Sequence, residues 1–450
     1  MSSSTQQTVV VLGSGIVGLS TCYYLLRLSP SSKVVLVENS PSRTIAGGAS
    51  SYAGGFIAGG ETWNDGHEGA LRMLSFACHE EMAAHLDGGE KWGFRHCGVI
   101  GLNVGGLDED RSKYRNLPQG AGRKAVEGDG KELPKGTWVE GEREELSTEG
   151  GVGQVDPAQF CRTVFQHLTS TYPGRFQVVF GQATGLSRSW FSSNRKLAIQ
   201  PTADSSSSSA PSPVTLSFNK LVVAAGPWSG EVCKQLGLPA IPLTNLPGHS
   251  LLIRPSLSGY QGGSELPSEA VFAGIAGAVG GVHASTSGLA RGLTEEEKKE
   301  GYTRSPEMFV RKNGIIFVAG ENRIPETNPA RDHLDNKLPP TVDGVKNLLD
   351  QNLINRLKRA AGAVSPLLKE ENGAIIEAEQ FCYRPVFPDR EPAVGELEPG
   401  VILATGHGPW GIALAPGTGK VVAELALGQP LSADIKALSP NRFNIPKAKL

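Results

Sequence analysis

Three glycines stand close together near the start of the chain, Gly13, Gly15 and Gly18, in the stretch GSGIVG. Thr8 to Leu12 (TVVVL) ahead of them is a short β-branched run, the mark of a buried strand. Leu19 to Leu28 (LSTCYYLLRL) behind them reads as a helix that stops before Ser29-Pro30. A G-x-G-x-x-G turn between strand and helix has a defined use. The first glycine makes the tight turn, the second lets a diphosphate approach the backbone, and the third lets helix and strand pack closely. The helix N-terminus then offers N–H groups and the positive end of its dipole to the anion. Lys33 to Val37 is a second buried strand. Glu38 at its end follows Gly18 at the spacing of about 20 residues expected of the acid that holds a ribose 2′-hydroxyl. Together these residues predict a βαβ unit with a dinucleotide site, and the carboxylate disfavours a 2′-phosphate.

Two further strands run into glycine, in LVVAAGPWS from Leu221 and in VILATGHGPWG from Val401. Strands of a doubly wound sheet deliver their C-terminal ends to one crevice. Three such ends, far apart in sequence, imply one long cofactor reaching across it. With a chain that returns to its first domain after a large excursion, this favours FAD over NAD.

The remaining sequence must position these pieces. A length of 450 residues allows two or three domains. Hydrophobic residues make up 39% and charged residues 20%, enough for a sizeable core and too little charge for disorder. The 45 acids and 43 bases leave a net charge of −2, so nucleic-acid binding has no electrostatic support. Glycine is in excess at 57 residues, without a collagen period, which predicts tight turns and close approaches. No apolar run reaches the ~18–20 residues of a membrane span, and the N-terminus carries no recognisable secretory signal. Six scattered cysteines (Cys22, Cys78, Cys97, Cys161, Cys233, Cys382) without CxxC spacing predict free thiols in a reducing compartment and no zinc site.

Along the chain, Ala46 to Gly60 is a Gly/Ser/Ala loop and 69–87 a helix. Residues 101–135 read as a polar loop insertion. Asp156 caps a helix that has Pro157 at its first position, and Ser205 to Ser209 form a flexible tip. Residues 240–375 mix short strands and loops with a helix in LLDQNLINRLKRAAG. GHGPWG is a tight turn, followed by a helix over Lys420 to Leu427.

The segments VVVLGSGIVGLSTCYYL, GGASSYAGG, VVAAGPWS, YRPVFPDREPAVGEL and VILATGHGPWGIALAPGTGKVVAEL together resemble the D-amino-acid oxidase superfamily of FAD-dependent oxidoreductases. The likeness is to its glycine oxidase and sarcosine oxidase branch. It covers both ends of the chain and is patchy between 80 and 375, where MFVRKNGIIFVAGEN looks like the family's strand pair beside the substrate. Within the superfamily the chain is most similar to a fungal group of FAD oxidoreductases, one member of which is tied to endosomal trafficking. The resemblance implies a mixed α/β and α+β fold. A Rossmann-like FAD-binding domain of the glutathione-reductase type would be drawn from 1–80, 150–240 and 380–450. An inserted substrate domain built on an antiparallel sheet would be drawn from 81–149 and 241–379.

Carried over residue by residue, the resemblance implies that Gly13, Ser14, Gly15, Ile16, Val17 and Gly18 hold the diphosphate, and Glu38 with Asn39 the adenosine ribose. Ser50, Ser51, Ala53, Gly54, Gly55 and Phe56 would line the diphosphate and flavin side, and Ala183 would face the adenine. Ala225, Gly226 and Trp228 would close the nucleotide site. Gly406, His407, Gly408, Trp410, Gly411 and Ile412 would wrap the isoalloxazine ring, their backbone N–H groups meeting negative charge near N1 and O2. Arg384 falls where glycine oxidase has the arginine that forks onto the substrate carboxylate, a task that suits a planar guanidinium. Glu307 falls where the same enzyme has a carboxylate-binding tyrosine; pointing inward, it would attract a second amino group, and pointing outward it is a surface acid. Pro409 replaces another carboxylate-binding arginine, which argues against glycine as the substrate. Cys382 lies at the spacing from which some relatives tether flavin through an 8α thioether, so the FAD is either covalent there or dissociable. His407 reads as a flavin contact rather than an acid–base group, and His249 is assigned no role.

The expected activity is oxidation of an amine or amino acid, with dioxygen as the second partner and hydrogen peroxide as a product. The alternatives are a dehydrogenase with another acceptor, or a catalytically silent flavoprotein acting as an interaction module in trafficking. The terminal Ala448-Lys449-Leu450 is a conservative variant of the S-K-L address, which predicts recognition by a peroxisomal import receptor; cytoplasm is the alternative.

Overall fold

The computed structural model describes residues 7–59, 66–104, 137–147, 151–187, 195–203, 211–275, 305–321 and 338–443. The insertion beyond Val104, the serine tract and the C-terminal tripeptide therefore lie outside the described residues.

An eight-stranded sheet carries the nucleotide motif. Its order is β10 (Val214–Phe218), β9 (Arg195–Pro201), β8 (Phe176–Ser187), β2 (Lys33–Glu38), β1 (Thr8–Leu12), β11 (Lys220–Val223), β18 (Val401–Thr405) and β17 (Ala393–Glu398). The central run from β8 to β18 is parallel, and the outer strands add antiparallel edges. Both faces of β1 are buried, which explains its unbroken apolar run. Val9 and Val11 pack under the helices Ile16–Leu28, Gly69–Leu86 and Gly411–Leu427. Val10 and Leu12 pack on the other side with Cys233 and Leu236.

A seven-stranded sheet runs β16 (Ile375–Val386), β12 (Thr244–Arg254), β15 (Ile316–Glu321), β14 (Glu307–Val310), β13 (Glu269–Ile275), β5 (Gly98–Val104) and β6 (Glu142–Ser147). Its pairs are antiparallel except β13 with β5. Strand alternation divides its faces: Met308, Val310, Ile316 and Val318 turn to the helix Gln351–Val364, while Phe309 and Phe317 join a separate aromatic cluster on the opposite face. A small third sheet pairs β3 (Phe56–Ala58) and β4 (Arg95–His96) with β7 (Val152–Gln154). These sheets are the FAD-binding and substrate-domain architecture expected from the sequence. Because β16 belongs to the second sheet, Cys382 and Arg384 reach the site from the substrate side, and the chain crosses back only after Val386.

Two local readings are refined and a third, the Asp156 cap, holds. The loop over 46–60 contains β3. The Asp156 cap is present, its carboxylate accepting from Gln159 N at 3.1 Å. The last helix begins at Gly411, not Lys420, and carries Pro416 in its interior. Pro416 cannot donate to the Ile412 carbonyl. That carbonyl accepts instead from His79 Nε2 at 2.9 Å, so the helix continues through the proline. All six cysteines are free. Among the described residues no helix is long and apolar enough to cross a membrane.

Candidate active site

One cavity of about 510 Å³ runs from the end of β2 to the inner face of the seven-stranded sheet. At its first end the glycine turn is held from several sides. Gly13 has φ +104°, and a Cβ there would lie 2.5 Å from Ala224 O at the end of β11. Glu38 accepts from Ser14 N at 2.8 Å, and Ser14 Oγ accepts from Ala46 N at 3.0 Å. Ser50 Oγ accepts from Ile16 N at 3.0 Å, while Gly15 caps the same helix with no side-chain bond. Burial pushes the Glu38 carboxyl up, against the lowering pull of Ser14. A helix start whose own N-cap residue makes no side-chain bond, a turn with glycine at its first and third positions and an acid at the neighbouring strand end suit a dinucleotide diphosphate and ribose. The residues present therefore fit FAD.

A second helix start faces the same space. Gly411–Leu427 opens with no side-chain cap at Trp410, and Trp410, Gly411 and Ile412 line the cavity. The Arg72 guanidinium lies 4.4 Å from the Trp410 ring centroid and donates to Glu68 at 2.6 Å, which fixes the indole from behind. His407 Nε2 meets Thr418 Oγ1 at 3.0 Å. Burial depresses its imidazole to about 4, so it is neutral near pH 7.

Most residues expected at the site line this one cavity: Ser14, Gly15, Val17, Glu38 and Asn39 at the nucleotide end, Ala183, Ala225 and Trp228 along it, and Glu307, Cys382, Arg384 and His407 at the far end. Gly18, Ser51 and Gly406 do not line it. Gly18 faces the Gly13 carbonyl and Gly406 the Phe387 ring. His249, buried, accepts from Asp350 N at 3.0 Å and packs against Phe381, so it anchors the helix start at Gln351.

Sequence reasoning missed two walls. The aromatic wall consists of Phe272, Phe309 and Phe317, with Phe56 stacked on Phe309 at 5.5 Å. Alternation along β13, β14 and β15 was the only signal, and it does not say which face meets the cavity. The second wall is a strap of Pro340, Thr341 and Val342, reaching across from between β15 and the helix Gln351–Val364. Trp228 Nε1 donates to Pro339 O at 2.8 Å, and Asn39 Nδ2 to Pro340 O at 3.4 Å. Asp343 accepts from Ser42 N and Oγ at 2.9 and 2.6 Å. Proline content marks this segment as a loop, but nothing local ties it to a nucleotide site.

At the substrate end, Arg384 Nη2 donates to Pro247 O at 3.3 Å, and its guanidinium lies over Gly248. Burial raises the Glu307 carboxyl, and Arg384 lowers it. The Cys382 thiol is likewise raised by burial and lowered by Arg384.

Residues 8–425 match the family model described as DAO, FAD dependent oxidoreductase, so the chain belongs to that family. A Schizosaccharomyces pombe protein named as an oxidoreductase is 25% identical over 97% of this chain and 98% of its own length. Among solved structures, L-amino acid deaminase from Proteus vulgaris superposes with a TM-score of 0.65 at 17% identity, covering 98% of each chain. Glycine oxidase from Geobacillus kaustophilus gives 0.63 at 17% identity over 97% of this chain and 99% of its own. These likenesses define the fold, and the family makes the protein an FAD-dependent oxidoreductase.

Proposed function

We propose that the protein oxidises an amine or amino acid at the C–H bond beside nitrogen, giving an imine that water hydrolyses. The observation that carries this reading is the single cavity joining the dinucleotide cradle to a wall that bears Arg384. FAD bound there supplies the acceptor for the hydride and its two electrons, which dioxygen then removes as hydrogen peroxide. The chain's own residues do the rest. Glu38 would accept from the ribose, the helix start behind Gly15 would meet the diphosphate, and the start at Gly411, which has no side-chain cap, would meet the ring. Arg384 pairs with the substrate carboxylate and sets the angle at which the α-carbon is presented. Phe56, Phe309 and Phe317 keep water from the reacting carbon. A neutral His407, tied to Thr418, positions the turn at Gly408 and moves no proton.

The test uses the purified holoprotein. Acid precipitation comes first: colour in the pellet that Cys382→Ser abolishes marks a thioether at Cys382, and colour in the supernatant marks dissociable FAD. Anaerobic titration with a panel of amines and amino acids follows, read as bleaching of the flavin band, and air is then admitted with peroxide measured. Bleaching with fast reoxidation supports an oxidase. Bleaching with slow reoxidation moves the reading to a dehydrogenase, and no bleaching by any compound overturns it in favour of a flavoprotein without turnover.

A further inference from the structure

The strand register lays out the floor on which a substrate would rest. Along β14 and β15 Glu307 stands opposite Ala319; along β15 and β12 Ala319 stands opposite Ser250. On the other side of β12, Gly248 is opposite Cys382 and Leu246 opposite Arg384. Directly opposed residues share a face of the sheet, and so do residues two apart on one strand. Glu307 and Arg384 therefore rise from the same face, three strands apart, and both line the cavity. The Arg384 guanidinium lies over Gly248, and between it and Glu307 the floor is Ser250 and Ala319, side chains too small to fill the gap.

This arrangement is bipolar. Arg384 supplies a cation suited to a carboxylate. Glu307 supplies an acid in a wall that is otherwise aromatic: Phe272 stands opposite it on β13, and Phe272 and Phe309 meet edge to face at 5.8 Å. A carboxylate in apolar surroundings costs several kcal/mol unless it finds a cation or a donor. Aromatic faces beside it favour the same kind of guest, since a cation over a ring is stabilised by the ring quadrupole. Arg384 is the cation whose charge already reaches Glu307; once a substrate carboxylate engages that guanidinium, a substrate with one amine, placed next to its own carboxylate, would leave Glu307 without a cation of its own. A substrate with a second amine at the far end would satisfy both charges at once.

We infer that the site is built for a diamino acid, its α-carboxylate on Arg384 and its side-chain ammonium on Glu307 against the phenylalanine wall. This rests on the oxidoreductase reading above and names the substrate class for it. Glu307 is then a specificity-determining residue that touches the substrate away from the reacting carbon.

Lysine and norleucine separate the possibilities, because they share a chain length and differ in the terminal amine. Both enantiomers of each, with glutamate as an acidic control, are titrated into the holoprotein without oxygen. Binding is read from the shift of the flavin spectrum, and reduction from its bleaching. Lysine or its shorter homologue ornithine is expected to bind more tightly than norleucine by on the order of tenfold or more, with glutamate weakest. Glu307→Gln, nearly isosteric, is expected to erase the difference while keeping the flavin. Equal affinity for lysine and norleucine overturns the inference and leaves the oxidoreductase reading standing. Selective lysine binding without bleaching by any compound does the reverse. If Glu307→Gln fails to retain flavin, the wild-type lysine and norleucine comparison still decides.

Discussion

His79 donates to the one helical carbonyl that Pro416 leaves without its usual partner, Ile412 O, at 2.9 Å. The imidazole is fully buried and depressed to about 4 by burial, so it is neutral, with its proton on Nε2 because a carbonyl only accepts. This bond joins the helix Gly69–Leu86 to the cavity-lining start of Gly411–Leu427.

The relationship predicts a coupling. His79→Leu leaves the carbonyl unsatisfied and is expected to cost about 1–3 kcal/mol. Pro416→Ala restores a helical N–H to the same oxygen, so the cost of His79→Leu shrinks in that background. Thermal unfolding followed by flavin fluorescence in the four variants measures it. An equal cost in both backgrounds would sink the idea.

Gly248 gives a test of Arg384. A Cβ at 248 would lie 2.5 Å from Arg384 Nη2 and 3.1 Å from Cζ, so Gly248→Ala must displace the guanidinium. KM is expected to rise by roughly tenfold for substrates that carry a carboxylate, the scale of one misaligned charged hydrogen bond. Amines without a carboxylate should be unaffected, and FAD should be retained. A uniform rise for both classes would place Arg384 outside substrate recognition.

What could be read from the sequence divides by range. The turn at Gly13, the acid at Glu38 and the strands flanking them lie within one βαβ unit, so local spacing exposes them. That Arg384 and His407 line the cavity could be anticipated because they sit in a dense C-terminal signature. Phe272, Phe309 and Phe317 were not, because β13, β14 and β15 carry apolar residues on both faces. The helix start at Gly411 was hidden by Pro416, whose cost is offset by His79, more than three hundred residues away. Partners so remote in sequence leave no periodic trace.

The strap makes a prediction about cofactor retention. Asp343 is its peg on the nucleotide side, through two bonds to Ser42. Exposed bonds of this kind contribute about 1 kcal/mol each. In a Cys382→Ser background, which removes any covalent tether, Asp343→Ala is expected to speed FAD loss by roughly tenfold on the same scale. Released FAD fluorescence after dilution reads this directly. An unchanged rate would mean that cofactor escape does not require the strap to lift.

Stability should peak near neutral pH, for two opposing reasons. Burial depresses His79, His249 and His407 to about 4, from an ordinary 6.5. Between those values the unfolded chain binds more protons, so their contribution is present above pH 6.5 and is lost as pH falls toward 4. The opposite holds for Glu391, pushed up from 4.5 to about 8 by burial and by the adjoining Glu68 carboxyl. There the folded protein binds the extra proton, so stability present below pH 4.5 is lost as pH rises through 8. Melting temperature is therefore expected to fall on both sides of neutrality. Glu391→Gln, which keeps a donor toward Glu68 at every pH, should flatten the limb between pH 6.5 and 8 and steepen the acid limb between pH 4.5 and 6.5, where the Glu391 contribution opposes that of the histidines. A variant that melts with the wild-type profile across that window would show that Glu391 and Glu68 do not share a proton.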